Sequence, residues 1–218
     1  MAKMLKEYPS NTVKPEELDG KIDFVRIFGR PCPVHIEIGI GKAAFLLNEA
    51  RAHLEVNFLG IEWASRYYRY AVDRIGRWGL TNVRIIRTDA AAFLANSIPD
   101  NSVECFHIYF PDPWPKRRHH KRRFLCPANL EYMLRTLKTG GQLKIATDHT
   151  DYFRLIKELI SARSLAVAGT ATPYNTGFEE IEFLPAAGAD KGELLGTNFE
   201  RKYRKENRPI YTLAVKKI

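Results

Sequence analysis

The strongest constraint on this chain is an alternation of short apolar runs with helical segments. Apolar runs fall at residues 34–38, 56–61, 83–88, 103–110 and 142–147. Helical patterns follow over 42–53, 64–78, a short stretch after Asp89, 124–137 and 152–162. Pro127 sets the true start of the fourth helix, because a first-turn proline is tolerated there. This order predicts a mostly parallel sheet with helices on both faces, an α/β fold. The later part is less regular: 173–192 reads as loop or edge structure, 197–205 as a short helix, and 210–215 as a terminal strand. Residues 1–30 read as an irregular or short-helical lead-in, and 31–218 as a single domain without a linker.

Each of the five runs carries a carboxylate at or near its C-terminal end: Glu37, Glu62, Asp89, Asp112 and Asp148. In open parallel sheets, ligands bind in the crevice at those ends. Acids gathered there favour a cationic ligand by Coulomb attraction, and Glu62 stands where doubly wound folds keep an acid for a ribose diol. Simple capping of the helices that follow is the competing role, most directly for Asp89. The chain as a whole is basic, with 34 Lys and Arg against 25 Asp and Glu and a net charge of +9. That surplus points to an anionic partner, either nucleic acid or a membrane surface.

The first strand leads into Glu37-Ile38-Gly39-Ile40-Gly41-Lys42. Gly39 and Gly41 permit a tight turn and close approach of backbone to a ligand. With Ala44 the turn also satisfies the looser dinucleotide pattern GxGxxA, so a nicotinamide-dependent dehydrogenase stands as a rival. The remaining length leaves no room for a dehydrogenase's second domain. A non-catalytic RNA-binding module is the other rival, and it has no use for the acidic rim.

The most unusual stretch is Phe110-Pro111-Asp112-Pro113-Trp114-Pro115-Lys116-Arg117-Arg118-His119-His120-Lys121-Arg122-Arg123. Three prolines stiffen the loop that carries Asp112 and Trp114. Six of the eight residues from Lys116 to Arg123 are Lys or Arg, a density suited to phosphates. Trp114 can stack on a base or serve as a core or lid residue.

Three cysteines, Cys32, Cys105 and Cys126, are widely spaced with no CxxC, so neither a disulfide framework nor a metal site is expected. His35 and His107 lie in apolar strands and read as core. No apolar run reaches about 18 residues, and the N-terminus has no signal-peptide core, so a cytoplasmic protein without membrane attachment is expected.

These motifs resemble the bacterial tRNA (guanine-N7-)-methyltransferase family. The resemblance rests on the Glu37–Gly41 turn, Gly60-Ile61-Glu62, Asp89, the Phe110–Arg123 segment, Gly140-Gly141 with Thr147-Asp148, and Thr197-Asn198-Phe199-Glu200-Arg201-Lys202. It implies a Rossmann-like class I methyltransferase fold with a seven-stranded sheet and a final antiparallel strand. It implies S-adenosylmethionine as methyl donor and a guanosine of the tRNA variable loop as acceptor; a monomer or homodimer is the expected working unit. By the same resemblance, Glu37, Gly39, Gly41, Glu62, Asp89 and Asp112 bind the donor, and Asp112 is also catalytic. Lys116, Arg118, His119, His120, Lys121, Arg122, Arg123, Asp148, Thr197, Asn198, Phe199 and Glu200 contact the RNA or the target base. Thr197 and Glu200 also have capping-box spacing, so a helix cap is expected alongside any contact with the base. The family turn often carries a further glycine where this chain has Ala43. The methyl group there is expected to restrict the backbone only slightly.

Overall fold

A computed structural model describes residues 4–18, 20–161 and 177–218. In chain order the elements are β1 (Thr12–Val13), α1 (Phe24–Phe28), β2 (Val34–Ile38), α2 (Ala44–Ala52), β3 (Asn57–Ile61), α3 (Ser65–Arg77), β4 (Val83–Ile86) and α4 (Ala90–Asn96). They continue with β5 (Val103–Tyr109), α5 (Pro127–Thr136), β6 (Leu137–Thr147), α6 (Thr150–Ser161), β7 (Phe178–Ile181), α7 (Asn198–Lys205) and β8 (Tyr211–Lys217). A 3-10 segment, Arg117–Arg122, holds most of the basic run. The expected helix end at residue 162 and the loop start at 173 lie outside the described residues.

Among the described residues the sheet has eight strands in the order β1-β4-β3-β2-β5-β6-β8-β7. Strands β1 to β6 run parallel, β8 runs antiparallel to β6, and β7 antiparallel to β8. The order reverses between β2 and β5, which makes their C-terminal ends the topological switch point where such sheets bind ligands. Side chains alternate across the sheet. Leu59, Ile61 and Ile86 pack with Leu94, Met133 and Ile156 in one cluster, while Phe58, Val83 and Ile85 pack with Leu46, Val72 and Ile75 in another.

The sheet therefore has one strand more than expected, and the lead-in supplies it. Thr12–Val13 pairs with Ile85–Ile86, and Asn11 donates its buried amide to Leu80 O and Val83 O. Two polar acceptors so far along the chain leave no periodic signal. The sixth strand also begins at Leu137, not at residue 142, so Gly140 and Gly141 lie inside it. A register shift between Val103 and Cys105 absorbs the irregularity. Among the described residues no helix is long and apolar enough to cross a membrane.

Candidate functional site

The C-terminal ends of β2, β3 and β5 open into a cleft of about 700 Å³. Small-molecule sites span roughly 300–1,000 Å³. Its walls include Gly39, Gly41, Glu62, Asp89 and Asp112, together with Lys121, Arg122 and Arg123. An adjoining recess of about 260 Å³ is lined by Glu37, Lys42, Thr197, Asn198, Phe199 and Lys202. The two share Gly39, Gly41, Tyr67, Tyr109, Phe110 and Phe199. Acids at the strand ends thus meet basic residues on the rim.

Glu37, next to last in β2, is 5% exposed, and among the described residues its Oε2 has no hydrogen-bond partner. Burial, and then the neighbouring Glu62 carboxylate, push its pKa well above the usual carboxylate range. A buried oxygen without a donor, on a residue that lines a recess, suits a ligand that brings a donor or a positive charge. Glu62 is placed differently. Its Oε2 accepts from Gly41 N at 2.9 Å and its Oε1 from Ala64 N at 2.8 Å. It ties the glycine turn to the start of α3 and keeps the remaining lone pairs of both oxygens for a ligand. Asp89 caps α4, accepting from Ala92 N at 2.8 Å, so the expected competitor is realised, and the residue also lines the cleft.

Gly39 and Gly41 have φ of 77° and 51°, the left-handed region open to glycine. Ala43 follows them at φ 52° and is fully buried. The expectation of slight restriction at Ala43 is therefore corrected: a left-handed alanine costs about 1–2 kcal/mol. It also explains why α2 begins at Ala44 and not at residue 42.

The proline loop is strained as well as stiff. Phe110 and Trp114, each followed by proline, have φ of 54° and 42°. Such values in bulky residues persist only where their surroundings hold them. Phe110 N donates to Ala146 O at 2.7 Å, and its ring packs 5.3 Å from Tyr203 and 6.0 Å from Phe199. Trp114 lies edge-on to His119 at 5.7 Å and under the Arg122 guanidinium at 4.9 Å. Arg123 turns inward: it is 8% exposed, donates to Pro113 O at 2.8 Å and lies 4.8 Å from the Tyr152 ring. It braces the loop that carries Asp112. Lys116, Arg118, His120 and Lys121 face solvent.

Residues near the C-terminus divide in the same way. Thr197 caps α7, its Oγ1 accepting from Glu200 N at 2.9 Å, and it lines the recess with Asn198 and Phe199. Glu200 is fully buried and accepts from Leu194 N, Leu195 N, Gly196 N and Arg204. It fastens the loop before α7 and lines neither recess. Asp148 is ion-paired with Arg208 and lies outside both linings. Lys116, Arg118, His119 and His120 are also outside them.

Tyr109 is the residue that sequence reasoning passed over. It ends β5, is 8% exposed and lines both recesses. Its hydroxyl shares a hydrogen bond with His107 Nδ1 at 2.9 Å, and His107 Nε2 shares one with His35 Nδ1 at 3.2 Å. Burial holds His107 well below its usual range, lowers His35 to about 4 and keeps the Tyr109 phenol protonated. His107 is core, as expected, while His35 is half-buried, and with Tyr109 the two form a polar row. With Cys105 they also bring three ligand atoms within 4.8 Å of one another. Burial keeps both imidazoles in the neutral form that ligates metals, and raises the thiol to about 12, away from the thiolate that does. The signal for Tyr109 was its place at a strand end beside the proline loop.

Comparison with known proteins follows the same lines. The profile of a family described as "Putative methyltransferase" matches residues 31–213. The tRNA (guanine-N(7)-)-methyltransferase of Rhodopirellula baltica is 35% identical over 210 residues, covering 93% of this chain and 73% of that one. The enzyme of the same name from Alkalilimnicola ehrlichii is 34% identical over 196 residues, covering 90% and 77%. That of Buchnera aphidicola is 38% identical over 197 residues, covering 90% and 76%. Among solved structures, an antibiotic-related methyltransferase superposes with a TM-score of 0.59 at 15% identity, over 89% of this chain and 92% of that one. An S-adenosylmethionine-dependent methyltransferase from Aquifex aeolicus gives 0.55 at 12% identity, over 89% and 87%. At those identities the structural likeness speaks for the fold.

Proposed function

This chain belongs to the tRNA (guanine-N(7)-)-methyltransferase family, and on that footing we propose that it moves a methyl group from S-adenosylmethionine to N7 of a guanosine in tRNA. The observation that carries the reading is the buried Glu37 Oε2, unpartnered among the described residues, in the recess that adjoins the acidic cleft of a basic protein. The residues present fit the methyl donor. When bound, it supplies an electrophilic methyl group on a positively charged sulfur. Glu37 offers a free acceptor to a cationic end, whose positive charge favours release of the Glu37 proton, Glu62 offers lone pairs to a diol, and Asp89 offers one oxygen to an amino group. The Gly39–Gly41 turn lets the backbone come close.

Guanine N7 has an in-plane lone pair and needs no deprotonation, so the chain needs no general base. Its work is to position the base and to place charge where charge develops. Asp112 takes the catalytic role in this reading: exposed in the cleft on a strained loop, it stabilises positive charge that builds on the purine and accepts from its N–H groups. The exposed part of the Lys116–Arg122 run takes tRNA phosphates, with the acceptor position expected in the variable loop. Residues 31–218 form the methyltransferase unit, and the cytoplasm, where tRNA is handled, is its place of work.

Asp112→Ala tests the site. Turnover of S-adenosylmethionine on unmodified tRNA falls at least about 100-fold, the scale of one lost electrostatic contact, while the melting temperature is kept. Near-normal turnover removes Asp112 from the mechanism.

A further inference from the structure

The exposed face of α3 carries cations that no described residue neutralises. Arg66 and Arg69 lie in its first two turns, both exposed, and among the described residues neither side chain has an ion pair, hydrogen bond or ring partner. Some surface arginines in other parts of the chain are matched: Arg135 with Asp100, Arg201 with Asp190 and Glu193, Arg208 with Asp148. The helix has no acid in its first turn. Its one carboxylate, Asp73, is 2% exposed and committed to Arg77 and the backbone of Lys6.

This arrangement works against the helix itself. The N-terminal end of a helix carries partial positive charge, so cations there are unfavourable unless an anion joins them. Aromatic rings accompany the arginines: Trp63 is 67% exposed, Tyr67 42% and Tyr70 36%. Residues 66, 67, 69 and 70 are three or four apart in pairs, so they share one patch of the helix surface. Trp63 and Tyr67 also line the cleft whose wall includes Lys121 and Arg122. The patch therefore begins at the cleft and runs along a helix of about 20 Å.

We propose that the face of α3 formed by Arg66, Arg69 and Tyr70 is a second docking surface for the RNA substrate, distinct from the Lys116–Arg122 run. The guanidiniums take backbone phosphates and Tyr70 packs on a sugar or base, so the substrate is held on both sides of the cleft. Interleaved arginine and exposed aromatic side chains suit a nucleic-acid strand, which offers both charge and ring faces. The inference rests on the tRNA reading above and extends it to a particular surface.

The test compares wild type, Arg66→Ala with Arg69→Ala, and Arg66→Lys with Arg69→Lys, each with unmodified tRNA across a salt series. Both sites are exposed helix positions, where alanine and lysine are good helix formers, and a thermal melt checks each fold. The alanine pair weakens binding and lowers the slope of log K against log salt by about two units, one per lost phosphate contact. The lysine pair restores the slope, and affinity for S-adenosylmethionine is unchanged in all three. An alanine pair with wild-type affinity and slope overturns the proposal. So does an alanine pair that loses binding to anionic lipid vesicles while keeping its tRNA affinity, which assigns the surface to a membrane. Wild type that neither binds nor methylates tRNA overturns the functional reading as well, so the two failures are told apart.

Discussion

Glu37 joins the stability of the protein to its chemistry. Its folded pKa is raised by burial and by Glu62, so the folded state holds a proton that the unfolded chain has released. Stability linked to this group is present at low pH and falls as pH rises from the ordinary carboxylate range toward the raised value. Glu37→Gln removes that dependence. In melts from pH 5 to 9 without ligand, the variant should match or exceed wild type at the upper end. Its calorimetric affinity for S-adenosylmethionine should nevertheless fall at least about tenfold, as expected for loss of a charged hydrogen bond. A variant that melts lower at high pH and binds normally contradicts this account of the recess. Ala43 gives a second prediction at this scale. Ala43→Gly relieves left-handed strain but removes a buried methyl worth about 0.8 kcal/mol and adds chain entropy. Denaturant unfolding should show a change under about 1 kcal/mol. Individual residue identities were legible where charge met a strand end, as at Glu37 and Glu62. They were not legible where a charged side chain turns inward: the exposed look of Arg123 and Glu200 in the sequence says nothing of Pro113 O or of three backbone N–H groups waiting for a carboxylate.

At the scale of elements, the segment that forms one wall of the recess is held by two buried acids. Glu49 on α2 accepts from Gly188 N at 2.6 Å, and Glu200 on α7 gathers Leu194, Leu195 and Gly196. Gly188 lies so close to α2 that a Cβ there would stand 2.4 Å from the backbone of Asn48. Gly188→Ala should displace the loop, lower the melting temperature and weaken S-adenosylmethionine binding through Thr197 and Phe199, without touching the acids at the strand ends. Wild-type affinity in that variant contradicts the role given to this wall. Glu200→Ala leaves buried donors unpaired and should cost about 3 kcal/mol or more in denaturant unfolding. The periodic elements, β2 to α6, were readable because hydrophobic alternation and breaker residues mark them. The pairing of Thr12–Val13 with β4 and the start of β6 at Leu137 were not, because both depend on partners far along the chain.

Over the whole molecule, charge is segregated. A net +9 coexists with an acidic strand-end cleft flanked by the Arg117–Arg122 segment and the start of α3. That division suits two ligands of opposite sign meeting at one place, a cationic donor inside and a polyanion outside. Catalytic efficiency on tRNA should therefore fall steeply between low and moderate salt, while S-adenosylmethionine affinity changes far less, because the cleft is shielded and the rim is not. The most direct measurement is incubation of the purified protein with methyl-labelled S-adenosylmethionine and unmodified tRNA, followed by mapping of the labelled nucleotide. The account predicts label at one guanosine, as alkali-labile N7-methylguanosine; label on another base or another guanine atom, or none, contradicts it.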